Sequence, residues 1–241
     1  MKGVIFDVEG KFAHFRKIYT NSSSLSYSVP PRTTVQGMIA AMFGLPRDSY
    51  YEQWSSRYLH IAVKKNSRTY SMTQTVNYIK AVSTGELNQP KEHTQIPFEI
   101  IAGIDRVSYR IYVAFEEEAK TLELSKRVRK EMFAYPPTLG TAFFLADVTY
   151  VADVDFIEKA ALEFVPVSTV IQTDKVQELK VEEFTLLREK MPRDFECDRT
   201  LLPACSYFVE GSGLPLQVKL HSHSSCWLVQ YNQQQEYITF M

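Results

Sequence analysis

Two consecutive prolines, Pro30 and Pro31, divide the first fifty residues into segments that must fold differently. Proline fixes φ, lacks a backbone N–H and pushes the preceding residue out of the helical region, so no helix runs through this step. Beyond it, Val35, Met38, Ile39, Met42 and Phe43 recur at helical spacing. Thr33 or Thr34 is placed to cap the N-terminus, and Gly44 with Pro46 ends the run. Before the prolines there is no apolar period. Cations and a tyrosine come first (Arg16, Lys17, Tyr19), then a hydroxyl-rich loop (Thr20, Asn21, Ser22, Ser23, Ser24, Ser26, Tyr27). The order is loop, rigid step, helix, with Arg32, Thr33 and Thr34 delivered to a helix N-terminus.

Positive charge, many small donors and a helix N-terminus together suit a polyanion. Nucleic acid is therefore the first partner to consider. A net charge of −1 argues against this until the charge is mapped. Residues 1–80 hold 11 Lys/Arg against 4 Asp/Glu, residues 81–149 hold 8 against 10, and residues 150–241 hold 8 against 14. A basic first third and an acidic last third fit a protein that grips phosphate on one side. The acidic end suits either a basic protein partner or plain solvation.

The three cysteines, Cys197, Cys205 and Cys226, form no C-x-x-C pair, which argues against a disulfide framework or zinc ribbon. His221-Ser-His223 near Cys226 reads as a polar strand edge rather than a metal site. No cofactor is expected. No segment has the roughly 18 uninterrupted apolar residues of a membrane helix. The first residues carry acids where a signal peptide would be apolar, so a cytoplasmic location with no membrane partner is expected.

Strands are expected at residues 3–8, 59–65, 108–115 and 143–151, with a second helix over 116–134. That helix places Glu116, Glu117 and Glu118 first and Lys126, Arg127, Arg129 and Lys130 last, as its dipole favours, with Leu124, Val128 and Met132 inward. The order strand, helix, strand, strand, helix, strand is the split βαββαβ, ferredoxin-like arrangement of the α+β class. Residues 66–107 are too long for a plain connection and read as a protruding hairpin insertion. Arg68, Tyr70, Gln74, Asn77, Tyr78 and Lys80 place donors and stacking groups along it. The chain is thus expected to divide into residues 1–151, including the insertion, and a β-rich region at 152–241, with strands near 162–170, 216–220, 227–231 and 237–240 and a turn at Glu210-Gly-Ser-Gly213.

Residues 12–52, FAHFRKIYTNSSSLSYSVPPRTTVQGMIAAMFGLPRDSYYE, closely resemble the N-terminal signature of the CRISPR-associated Cas-five family of the RAMP superfamily, most like its type I-B branch. Tyr135-Pro-Pro-Thr-Leu-Gly140 is similar to the glycine-containing loop these proteins place before the last strand. Met191-Pro-Arg193 through Tyr207-Phe-Val-Glu210 is a looser echo of the family's C-terminal region. The resemblance implies a RAMP, RRM-like ferredoxin domain with a thumb hairpin at 66–107 and a C-terminal β region. It implies a non-catalytic subunit of a Cascade surveillance complex for antiviral defence, capping the 5′ handle of the CRISPR RNA. The partners would be the backbone subunit (Cas-seven type), the large subunit (Cas-eight type) and, indirectly, target DNA. The thumb would wedge into the guide where handle meets spacer. On this reading Arg16, Lys17 and Arg32 contact phosphate. Tyr19, Thr20, Asn21, Ser22, Ser23, Ser24, Tyr27, Thr33 and Thr34 supply donors or stacking faces, and Gly140 lets backbone approach the RNA.

A second reading is a metal-independent endoribonuclease that processes precursor CRISPR RNA, as in the type I-C branch. Such chemistry needs a general base, a general acid and a cation at the phosphorane. Tyr19, His14, His60, Lys91 and His93 are the available groups, but Lys91-Glu-His93 departs from the adjacent Lys-His pair of that branch.

Overall fold

Both faces of the first strand are buried, and this organises the molecule. The computed structural model describes residues 1–90, 92–181 and 185–241. Strand β1 (Lys2–Ala13) is followed by the short β2 (Phe15–Arg16) and β3 (Ser26–Tyr27), helix α1 (Arg32–Phe43) and β4 (Leu59–Lys65). Next come β5 (Thr69–Lys80), α2 (Thr84–Asn88), the long β6 (Glu92–Phe115), α3 (Glu118–Arg129) and β7 (Asp147–Asp155). The remainder is β8 (Ile157–Ala160), β9 (Val165–Val167), β10 (Ile171–Gln172), β11 (Val176–Leu179), β12 (Leu186–Met191), β13 (Cys205–Glu210), β14 (Leu216–Leu220), β15 (Ser225–Tyr231) and β16 (Gln234–Ile238).

The central sheet runs β4-β6-β1-β7, every neighbour antiparallel. Side chains alternate across it. Val4, Phe6, Val8, Tyr109, Ile111 and Val113 face one layer, where Val35, Met38, Ile39 and Met42 of α1 and Leu124 and Val128 of α3 pack. Ile5, Tyr112 and Ala114 face the other, where Val229, Tyr231 and Ile238 of the C-terminal strands and Phe240 just beyond them cover them. Each large aliphatic so buried contributes about 1.5–3 kcal/mol of transfer free energy. The last third therefore covers the second face of the sheet. It forms a six-stranded sheet ordered β11-β14-β9-β16-β15-β8 and a three-stranded one ordered β10-β13-β12.

Charges also join the two sheets. Asp7 takes Arg110 in a fork, Nε to Oδ1 and Nη2 to Oδ2 both at 2.8 Å, and Arg110 Nη1 donates to the Tyr231 hydroxyl at 2.9 Å. Tyr231, Tyr112 and Lys64 all donate to Glu236. Burial alone would raise the Glu236 pKa, but these donors outweigh it and hold the carboxyl below its ordinary value.

The insertion is a twelve-pair antiparallel hairpin from Thr69↔Gly103 to Lys80↔Glu92. The first helix differs from the expectation at its start. Pro31, at φ −58° and ψ 155°, is the N-cap residue, and its carbonyl accepts Thr34 N–H at 2.9 Å and Val35 N–H at 3.2 Å. Thr33 and Thr34 thus lie in the first turn and cap nothing. Gly44 closes the helix in the left-handed conformation at φ 77°, as expected. Helix α3 is shorter than 116–134. It stops at Arg129, Glu131 turns left-handed at φ 53°, and Met132 lies exposed outside it. β7 begins at Asp147 rather than 143, because residues 141–144 turn: Phe144 N–H donates to Thr141 O at 3.0 Å.

Candidate nucleic-acid interface

The hydroxyl-rich loop is tied down at both ends. Pairing of Phe15 with Tyr27 and Arg16 with Ser26 closes residues 17–25. The returning limb lies along the middle of the hairpin, where Ser24 N–H donates to Pro97 O at 2.8 Å and Glu99 N–H donates to Ser24 O at 2.9 Å. His14 locks the same junction. Its Nδ1 lies 2.7 Å from the Glu99 carbonyl and must donate, which leaves Nε2 to accept the Ser24 hydroxyl at 3.0 Å. The ring stacks on Phe98 at 4.1 Å. Burial, the largest effect, pushes the His14 pKa below its ordinary value, which favours this neutral tautomer.

Between this loop, the first turns of α1 and the segment 136–141 lies a cleft of about 530 Å³. Arg16, Thr33, Thr34 and Gly140 line it, Tyr78 lines it from the hairpin, and Arg199 lines it from the C-terminal region. The rims are cationic and hydroxylic, and the start of α1 adds the partial positive charge of its dipole. A phosphodiester suits such a cleft.

Several expected contact residues do other work. Arg32 is 0 % exposed. Its Nη1 donates to Asp194 Oδ1 at 3.0 Å and Arg193 O at 3.2 Å, and its Nη2 donates to Leu59 O at 2.6 Å and Trp54 O at 2.9 Å. It is a clasp between α1 and the C-terminal region and is not available to RNA. Tyr27 is equally enclosed, and its hydroxyl donates to Lys190 O at 2.6 Å, so its ring cannot stack on a base. Ser24 is buried at the His14 junction. Gly140, at φ 98°, is required by the chain itself: a Cβ there would lie 1.8 Å from the His14 carbonyl oxygen. Lys17 pairs with Glu189 at 3.6 Å and lines a different cavity of about 340 Å³, together with Arg68 and Tyr70.

The remaining residues are at the surface. Tyr19 is exposed, with its ring edge-on to Tyr27 at 6.4 Å. Asn21 and Ser22 are exposed, Ser23 is half-buried, and the Thr20 hydroxyl donates to Lys17 O at 3.0 Å. Gln74 and Tyr78 line an apolar groove of about 460 Å³ with Phe12, Met72 and Phe143. Asn77 and Lys80 lie exposed further along the hairpin, Lys80 paired with Glu92 at 2.8 Å. Of the groups considered for RNA cleavage, His14 alone among the described residues lines the cleft. His60 pairs with Glu116 at 2.7 Å, His93 sits opposite Ile79 on the hairpin, and Lys91 lies outside the described residues. His221 and His223 stack at 5.3 Å in the turn after β14, and Cys226 is buried against Lys159 O at 3.5 Å. Among the described residues no group of three or more His, Cys, Asp or Glu could hold a metal. No helix among them is long and apolar enough to cross a membrane. Sequence reasoning missed Arg199, which lies far along the chain with no local motif around it.

No curated protein sequence matches the chain. In fold it is similar to a CRISPR protein from Archaeoglobus fulgidus, at 16% identity, 98% coverage of both chains and a TM-score of 0.55. It is also similar to a chain of a CRISPR RNA-guided surveillance complex, at 12% identity, covering 88% of this chain and 91% of that one, with a TM-score of 0.54. The family described as "CRISPR-associated protein (Cas_Cas5)" matches residues 3–180. A mostly β architecture, the loop-step-helix signature and a family match over most of its length agree: this chain belongs to the CRISPR-associated Cas5 family.

Proposed function

We propose that this chain is a non-catalytic, RNA-binding subunit of a type I CRISPR effector complex, of the I-B kind, and that it holds the 5′ handle of the CRISPR RNA for antiviral defence. The observation that carries the reading is the cleft. It brings Arg16, Thr33, Thr34 and Tyr78 from three separate elements to one surface beside a helix N-terminus. Guanidinium and hydroxyl groups there would take phosphates, and exposed tyrosines would stack on splayed bases. The strand order β4-β6-β1-β7, with α1 and α3 as crossovers on one face, supports a ferredoxin-like RAMP core. The β5–β6 hairpin supports the thumb assignment. Its apolar groove and the acidic C-terminal third are the surfaces on which backbone (Cas-seven type) and large (Cas-eight type) subunits would dock, and contact with target DNA would be indirect.

Binding is favoured over cleavage because both nitrogens of His14, the candidate base that lines the cleft among the described residues, already hold the loop to the hairpin. The test is to incubate purified protein with precursor CRISPR RNA in EDTA and follow both retention and integrity of the RNA. The reading predicts retention of intact RNA at low salt. Specific cleavage in EDTA would overturn the non-catalytic assignment, and no retention at low salt would overturn the RNA-binding one.

A further inference from the structure

Arg199 occupies a backbone position that most residues avoid. In residues 194–202 the chain doubles back on itself. Phe195 bridges Leu201, Glu196 N–H donates to Thr200 O at 2.9 Å, and Arg199 N–H donates to Glu196 O at 2.9 Å. Cys197 and Asp198 form the turn, and Arg199 follows it at φ 69°. That left-handed position after a tight turn is the one glycine or asparagine fills at least cost. An arginine there bears backbone strain with no gain for the turn. Strained positions in proteins gather where a side chain is needed in one place.

The place is the cleft. Arg199 is exposed and lines it beside Thr33, Thr34 and Gly37 of α1. The Tyr50 hydroxyl reaches the same neighbourhood, standing 3.3 Å from where a Cβ on Gly37 would sit. The ion pairs of this loop are Arg32–Asp194 at 3.0 Å and Arg193–Asp194 at 3.7 Å, and Arg199 belongs to neither. Asp194 also accepts Ser56 N–H at 2.8 Å and the Ser56 hydroxyl at 2.6 Å, so the stem of the loop is bolted to the core while its tip carries a guanidinium with no ion-pair partner among the described residues.

We propose that Arg199 is a phosphate contact of the cleft, opposite Arg16, and that the buried Arg32–Asp194 pair is the device that positions it. The C-terminal region then contributes to the RNA site and is more than a cover for the sheet. This rests on the RNA-binding reading above. The ligand chemistry is the phosphodiester of single-stranded RNA, whose backbone would lie between the two arginines across the start of α1.

The experiment measures binding of a short fluorescein-labelled single-stranded RNA across a salt series, for wild type, Arg16→Ala, Arg199→Gly and Arg199→Lys. Arg199→Gly relieves the strained φ, so the melting temperature should hold or rise. Affinity at low salt should nevertheless fall about tenfold, as for loss of one charge-assisted contact. The slope of log K against log salt should shrink by about 0.7, the share of one phosphate on a single strand. Arg199→Lys should keep most of the slope. Asp194→Asn should reproduce the affinity loss of Arg199→Gly while leaving the contribution of Arg16 intact. If Arg16→Ala weakens binding and Arg199→Gly does not, this proposal is overturned and the cleft stands. If neither changes affinity or slope, the RNA-binding reading of the cleft falls, and this proposal with it.

Discussion

Replacing Arg32 by alanine separates a buried clasp from a surface phosphate contact. The guanidinium gives four hydrogen bonds at 2.6–3.2 Å to Leu59 O, Trp54 O, Asp194 Oδ1 and Arg193 O. Its side chain is 0 % exposed, and that of Asp194 is 13 % exposed. Arg32→Ala takes the cation from a nearly buried carboxylate that keeps only its Ser56 donors, removes a donor from three carbonyls, of which Trp54 O retains Gln36, and leaves a cavity. Removing one partner of such a pair costs about 3–5 kcal/mol. For a chain of 241 residues, each kcal/mol lowers the melting temperature by about 2–4 °C, so the expected drop is about 6–20 °C. Arg32→Lys keeps the charge but not the planar fork, and should recover part of the loss. Thermal and urea denaturation measure this, and a double-mutant cycle with Asp194→Asn isolates the pair, whose coupling should exceed about 1 kcal/mol. An exposed arginine that only meets RNA would give the opposite result in melting, which would not change. Arg32→Ala melting within a degree of wild type would refute the clasp.

Gly140→Ala forces a positive φ on a residue with a Cβ and drives that Cβ toward the His14 carbonyl oxygen. It should cost at least about 2 kcal/mol in denaturant unfolding and loosen the loop–hairpin junction. Because His14 is held below its ordinary pKa of 6.5, the unfolded chain binds the proton more readily. The stability His14 provides is therefore full above about pH 6.5 and falls as the pH drops toward its lowered native value. Urea midpoints from pH 8 to 5 should show this component, and His14→Gln should lack it. Breaking the exposed Lys80–Glu92 pair with Lys80→Ala should leave the urea midpoint unchanged within error, since solvent and salt screen such pairs.

What could be read from the residues depended on the range of the interaction. Helix α1 was legible because its inward stripe and its Gly44 cap are local, and β4 and β14 because their alternation spans the whole strand. Two-residue strands such as β10 carry no period to read. The basic character of the first third was legible too, but which cations remain free was not. Arg32 looked like a contact residue because it follows two prolines and precedes two threonines, while its partner lies 162 residues away. Tyr27 finds Lys190 at a separation of 163. Gly140 was recognised as a position needing glycine, but the backbone it admits belongs to His14 of the same chain. Phe143 was expected to open a strand, yet it stands 70 % exposed beside the hairpin groove. Long-range partners of single polar side chains leave no local periodicity.

The most direct test of the central claim is photo-crosslinking of 4-thiouridine-substituted CRISPR RNA to the chain, with the crosslinked peptides mapped by mass spectrometry. The account predicts crosslinks in residues 14–34, at Tyr78 and in residues 136–141, concentrated at the 5′ handle of the RNA, and weakened together by Arg16→Ala and Arg199→Gly. Crosslinks that cluster instead around Leu122, Ile157 and Gln230, which line a separate cavity, would contradict it.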